Sequence, residues 1–207
     1  MVAMTISLTS QILVDPEEKP VAVIPFEMNG SHITVEASVN GSEKLPFTFD
    51  TGGSTGLIDH SIAERIGMKE TSKAPGMGAG GHTEYSLSSG NTIKMGDLTF
   101  ENNTMVMMDI SHMKQFGKQI GGVLGYHQIV GYVVKIDYDT KRLIFYDKDS
   151  YEYSGSGSII PIGLERRIPS LDAEIELSSG TKISGRFLLD TGAGLYGSMN
   201  SPSVLQH

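Results

Sequence analysis

"LPFTFDTGGSTGLID", residues 45–59, is the stretch on which the reading of the whole chain turns. An aspartate closes a run of β-favouring residues and opens a tight Thr-Gly-Gly corner. Upstream, "HITVEASVNGSEKLPFTFD" (32–50) alternates apolar and polar residues on both sides of Asn40-Gly41. Asn-Gly accepts the positive φ angles of a two-residue hairpin turn, so this segment predicts a β-hairpin that ends at Asp50. One such corner means little, because Asp and Gly each favour turns for reasons of their own.

The corner recurs. "SLDAEIELSSGTKISGRFLLDTGAG" (170–194) repeats strand, turn, strand and Asp-Thr-Gly, with a hairpin two residues longer, and "SIIPIG" (158–163) echoes "AVIPFE" (22–27). Internal repeats decide architecture. Shuffling this composition would give about 0.1 Asp-Thr-Gly tripeptides per chain, so two copies at two hairpin ends point to a pair, Asp50 and Asp190. Two carboxylates held close cannot both ionise, and the pair then shares one proton across an acidic range. A water between them faces a base and an acid at once. Thr51 and Thr191 offer hydroxyls that can reach across to the partner loop. Gly52 and Gly192 let each backbone turn tightly with its N–H groups near the carboxylates.

On "FTFDTGGST" (47–55), "FLLDTGAG" (187–194) and the apolar-apolar-Gly element Val123-Leu124-Gly125, the chain resembles the aspartic peptidases. It is most similar to the bacterial retropepsin-like proteins with two Asp-Thr-Gly lobes in one chain. The resemblance implies Asp50 and Asp190 as catalytic dyad, Thr51 and Thr191 as locks, and Gly52 and Gly192 as loop-shaping residues. It makes Val123, Leu124 and Gly125 a strand that supports the first loop, and "GYVVKIDYDTKRLIFY" (131–146) a closing hairpin. It places a flap at "GMGAGGHTEY" (76–85), with Gly78, Gly80 and Gly81 at a mobile tip and Tyr85 on its strand. Gly53 and Ala193 after the tripeptides stand nearer the retroviral form than the pepsin form.

The expected fold is mainly β: one closed β-barrel lobe of the acid-protease type with a flap, plus the first half of a second. Residues 1–20 read as an N-terminal extension, 21–149 as the complete lobe, the Gly/Ser-rich 150–158 as a linker and 159–207 as the partial lobe. Beyond Asp190 stand seventeen residues, with no second copy of the elements read over 71–147. A fragment of a longer two-lobe enzyme is the expectation, with a homodimer through the first lobe as the other way to pair two aspartates. The expected reaction is hydrolysis of polypeptide substrates by activated water. The alternative is a peptide-binding module that keeps the fold without the activity.

Other readings are weaker. No cysteine is present, which removes disulfides and thiolate chemistry. A formal charge of -8, with no Lys/Arg run, argues against a nucleic-acid partner. No stretch is long and apolar enough to span a bilayer, and the first residues lack the pattern of a signal peptide, so a soluble chain is expected with its compartment unknown. The histidines show no metal-ligand spacing, and neither metal nor cofactor is expected. "GMGAGG" (76–81) fits a dinucleotide-binding pattern only if a strand precedes it and a helix follows. In detail, 21–29 is read as one strand, Ser61 as a helix N-cap with Glu64, turns at Gly96 and Asn102-Asn103, and a loop over 111–121.

Overall fold

The structure, a computed structural model, describes residues 19–78, 81–111, 113 and 120–194. Most of the expected extension, most of the 111–121 loop, Gly80 and the residues after Gly194 lie outside that range. Among the described residues, fourteen strands and two short helices follow one another. The first strands are β1 (Ala22–Pro25), β2 (Glu27–Asn29), β3 (His32–Val39), β4 (Leu45–Phe49) and β5 (Gly56–Asp59), followed by α1 (His60–Arg65). Next come β6 (Ser72–Gly78), β7 (Gly81–Met95), β8 (Leu98–Met108), β9 (Gly122–Leu124) and α2 (Tyr126–Ile129). The last are β10 (Tyr132–Asp137), β11 (Arg142–Asp147), β12 (Gly163–Glu165), β13 (Ile168–Glu176) and β14 (Lys182–Leu188).

Eight strands form one sheet in the order β2-β3-β4-β9-β5-β8-β7-β6, and β3 also pairs with β7. That extra pairing closes β3, β4, β9, β5, β8 and β7 into a ring. The Asn40-Gly41 hairpin forms as read, with φ of 53° and 76° at its two turn residues. Alternation along β3 and β4 sends Ile33, Val35, Phe47 and Phe49 inward, all at most 1% exposed. Burying each contributes roughly 1.5–3 kcal/mol. A three-stranded sheet, β1-β11-β10, lies against this core. Phe145 of β11 meets Phe49 and Tyr132 edge-on at 6.5 and 5.5 Å between ring centres, an arrangement favoured by the ring quadrupoles.

The second sheet repeat, β12-β13-β14, has one apolar and one charged face. Its register sets Leu171 opposite Phe187 and Ile175 opposite Ile183 on one side. On the other, Asp172 faces Arg186, whose Nε and Nη2 each donate to a carboxylate oxygen at 3.0 Å. Strand period two dictates this division from the sequence alone.

Local readings need three corrections. Residues 21–29 form two strands, because Phe26 turns the chain from its pairing with β11 to a pairing with β3. The N-cap of α1 is Asp59, not Ser61: the Asp59 carboxylate accepts from the N–H groups of Ser61 and Ile62, and from that of Ile110, two residues past the end of β8. A carboxylate meets several donors where a hydroxyl would meet one, and these bonds hold its pKa below the ordinary range although burial pushes it upward. Asn102, with φ of 56°, lies inside β8, where register shifts mark a bulge and no turn.

Candidate active site

The first Asp-Thr-Gly loop is fixed by the strands around it. β9 lies between β4 and β5, parallel to the strand entering the corner and antiparallel to the strand leaving it. Asp50 N–H donates to Leu124 O at 2.8 Å, and Tyr126 N–H donates to Gly53 O at 2.9 Å. Val123-Leu124-Gly125 thus runs under the corner, and its glycine has a steric reason. A Cβ on Gly125 would stand 2.6 Å from the Asp50 carbonyl oxygen. Gly122, not singled out in the sequence, is equally required, since a Cβ there would collide with the Leu57 backbone.

A second support was also missed. Gln128 in α2 is 1% exposed, accepts from Gly125 N–H through Oε1 at 3.1 Å and donates to Asn103 Oδ1 at 3.0 Å. Asn103 donates in turn to Phe100 O at 2.7 Å. A buried amide network of this kind rigidifies its surroundings when satisfied. The signal in the sequence was a Gln inside the apolar turn after the "VLG" element.

The second Asp-Thr-Gly loop follows β14 and meets the first across a near two-fold arrangement. Thr51 N–H donates to Thr191 Oγ1 at 3.1 Å, and Thr191 N–H donates to Thr51 Oγ1 at 3.0 Å. Each hydroxyl then donates to the residue before the opposite aspartate, Thr51 to Leu189 O at 2.7 Å and Thr191 to Phe49 O at 3.1 Å. Within each loop the glycine N–H holds its own aspartate, Gly52 to Asp50 Oδ1 at 2.7 Å and Gly192 to Asp190 Oδ1 at 2.8 Å. Each carboxyl lies over the opposite glycine. A Cβ on Gly52 would come 2.6 Å from Asp190 Oδ2, and one on Gly192 would come 2.6 Å from Asp50 Oδ1. A side chain at either position would push the opposite carboxyl out of its place.

The two carboxyls hydrogen-bond one another, and Asp50 is pushed up from 3.8 to about 6. Burial is the main cause; the hydrogen bond to Asp190 and its charge add to it, while the N–H groups of Gly52 and Gly192 pull the other way. Asp50 therefore keeps a proton in mildly acidic solution while a second carboxyl stands beside it. An adjoining cavity of about 770 Å³ is lined by Thr51, Asp190 and Thr191 on one side and by Tyr132, Val134 and Ile136 of β10 on another.

Of the residues expected in a flap, Gly78 and Gly81 pair with one another at the end of the β6–β7 hairpin, and Gly80 lies outside the described residues. Tyr85 sits lower on the same hairpin, opposite Ala74 and half-buried. Of "GMGAGG", residues 76–78 lie in β6 and Gly81 opens β7, so a strand follows where a phosphate site needs a helix.

Paired carboxyls over threonine-locked loops, in a mainly β chain, are the arrangement implied by the resemblance to aspartic peptidases. Residues 35–127, which hold Asp50, the β6–β7 hairpin and the "VLG" strand, match the family described as aspartyl protease. Among solved structures, the chain is similar to a retropepsin-like aspartic protease from Rickettsia conorii, with 21% identity over 60% of this chain and 88% of that one and a TM-score of 0.42. No curated protein matches it. No helix among the described residues is long and apolar enough to cross a membrane.

Proposed function

We propose that the chain is an aspartic endopeptidase in which Asp50 and Asp190 activate one water against a peptide carbonyl. The observation that carries this reading is the pairing of the two carboxyls by threonine-locked loops, each carboxyl over the opposite glycine, with Asp50 raised to about 6. The protonated carboxyl polarises the carbonyl oxygen while the ionised one takes a proton from the water, and the attack needs no covalent intermediate. The threonine bonds and the glycine contacts hold the carboxyls at a fixed separation, which this chemistry requires to within a fraction of an ångström. The β6–β7 hairpin, with Gly78 and Gly81 at its end, is the element suited to cover an extended peptide. Residues 21–149 would then be a complete lobe, and the unit after the 150–158 linker would contribute its aspartate.

The test is cleavage of an unfolded polypeptide by the chain, by Asp50→Asn and by Asp190→Asn. Loss in both variants is expected; undiminished cleavage by the Asp50 variant sinks the proposal. With both carboxylates in one chain, rate should rise linearly with enzyme concentration. A quadratic dependence at high dilution would point to a homodimer pairing two Asp50 loops. The second reading, a module that binds peptides without cutting them, draws on the exposure of Asp190. It predicts saturable peptide binding in the wild type with no product.

A further inference from the structure

His32 is a buried titratable residue at the site for which the dyad chemistry has no use. It opens β3 at 8% exposure and lies 160 residues from its partner in the second loop. Its ring Nε2 stands 3.0 Å from the Gly192 carbonyl oxygen. A carbonyl only accepts, so Nε2 carries a proton, and both the neutral Nε2–H form and the imidazolium provide that donor. The loop then bends past the ring at Gly194, with φ of +63°, where a Cβ would meet His32 Cε1 at 3.0 Å. The absence of a side chain there leaves the ring its place.

The first loop is held by other means: at Gly53 the carbonyl takes its hydrogen bond from the backbone N–H of Tyr126. Each loop thus has a glycine carbonyl anchored by a donor from a neighbouring element, a backbone group at Gly53 and a side chain at Gly192. We propose that His32 is the positioning residue of the second loop, holding the Gly192 carbonyl so that the Asp190 carboxyl stays against Asp50. The inference rests on the two-carboxylate reading for its meaning, but its test does not need turnover.

Asp190 contributes to the raised pKa of Asp50, so the titration of Asp50 reports where Asp190 stands. The experiment follows the Asp50 carboxyl carbon by NMR in the full chain, for wild type, His32→Leu, His32→Gln and His32→Asn, with Asp190→Asn as reference. Wild type should titrate near 6 and Asp190→Asn lower, with burial and the Gly52 and Gly192 N–H groups still acting. His32→Leu fills the space without a donor and should fall to the Asp190→Asn value. His32→Gln places an amide N–H where Nε2 stood and should remain near wild type, while His32→Asn falls short and should behave like Leu. If His32→Leu does not fold, the Gln and Asn pair carries the test.

An Asp50 midpoint in His32→Leu equal to wild type overturns the proposal, as do equal midpoints in the Gln and Asn variants. Where cleavage occurs, His32→Leu should lose about 10- to 100-fold in kcat with little change in KM, the mark of misplaced catalytic groups. Wild type that titrates as expected but cleaves nothing ends the peptidase reading and leaves this one standing. A cleaving wild type with an unmoved midpoint in His32→Leu does the reverse.

Discussion

The same tripeptide is built twice in this molecule and placed in two different settings. In both loops the glycine N–H holds its own aspartate, at 2.7 and 2.8 Å, and the threonines exchange matched bonds. Around Asp50, however, β9 and the Gln128 network fill the space beneath the corner, and the preceding Phe49 is fully buried. Around Asp190 the preceding Leu189 is 43% exposed, and the apolar echo of β1 differs in the same sense. Ile24 in "AVIPFE" is buried at 3%, whereas Ile160, its counterpart in "SIIPIG", is 64% exposed. Local sequence therefore dictates the shape of an Asp-Thr-Gly loop, and the tertiary setting dictates how deeply its surroundings are buried. Two carboxyl settings of different exposure arise from one motif.

The sharpest way to break this comparison is to neutralise each aspartate in turn. Asp50→Asn and Asp190→Asn should each lower peptide cleavage by about 10²–10⁴-fold, the usual range for an acid–base group. Stability should separate them. Asp50 binds its proton more tightly folded than unfolded, so between pH 3.8 and about 6 the native state holds more protons and stability falls as pH rises. By pH 7 the ionised, half-buried carboxylate costs up to about 3 kcal/mol. Asp50→Asn should remove that cost and raise Tm at pH 7 but not at pH 3, whereas the exposed Asp190 should give a smaller change. Thermal melts at both pH values decide it, and equal gains in the two variants would erase the distinction between the loops.

Glycine replacements extend the contrast. Gly125→Ala drives a methyl group into the backbone of the first corner and should cost about 2–4 kcal/mol, read as a denaturation midpoint. Gly192→Ala drives a methyl group into the Asp50 carboxyl, a side chain that can give way. It should spare most of the stability and lower kcat by about 100-fold by separating the carboxyls. Comparable stability losses in both variants would mean that the second loop is as tightly supported as the first.

The pH profile is a milder probe of the same pair. The proposed reaction needs one proton on the carboxyl pair, so cleavage should fall as Asp50 ionises above about pH 6. Tenfold loss per pH unit is the expected slope. Activity that stays flat to pH 8 would mean that Asp50 is not the proton-bearing carboxyl.

Much of this arrangement was legible in the sequence because it rests on period-two patterning and turn chemistry. Asn40-Gly41 marked the hairpin, and the repeat pointed from Asp50 to Asp190 and to a second strand-turn-strand unit over 170–188. What was not legible depends on groups far apart in the chain. Asp59 displaced Ser61 as N-cap because its carboxylate also reaches Ile110, beyond the end of β8. Gln128 and Asn103 are ordinary polar residues until the fold encloses them together. His32 carries no motif, and its role depends on a carbonyl that arrives 160 residues later. Gly122 was passed over because its need for space is set by Leu57 on a neighbouring strand.

The smallest expected effect concerns the threonines, and it tests the asymmetry most finely. Thr51→Val strips the partners from Leu189 O and Thr191 N–H, both in the more open second loop, where water can replace them. Thr191→Val strips the partners from Phe49 O and Thr51 N–H, which lie against the buried first corner. A buried polar group left without a partner costs about 1–3 kcal/mol, and one that water reaches costs less. Thr191→Val should therefore be the more destabilising of two changes identical in chemistry, by about 1 kcal/mol in urea unfolding. Thr→Ser at either position keeps the hydroxyl and should restore most of the loss. If Thr51→Val proves the costlier, water does not reach the second loop in solution, and its carboxyl must be treated as buried like the first.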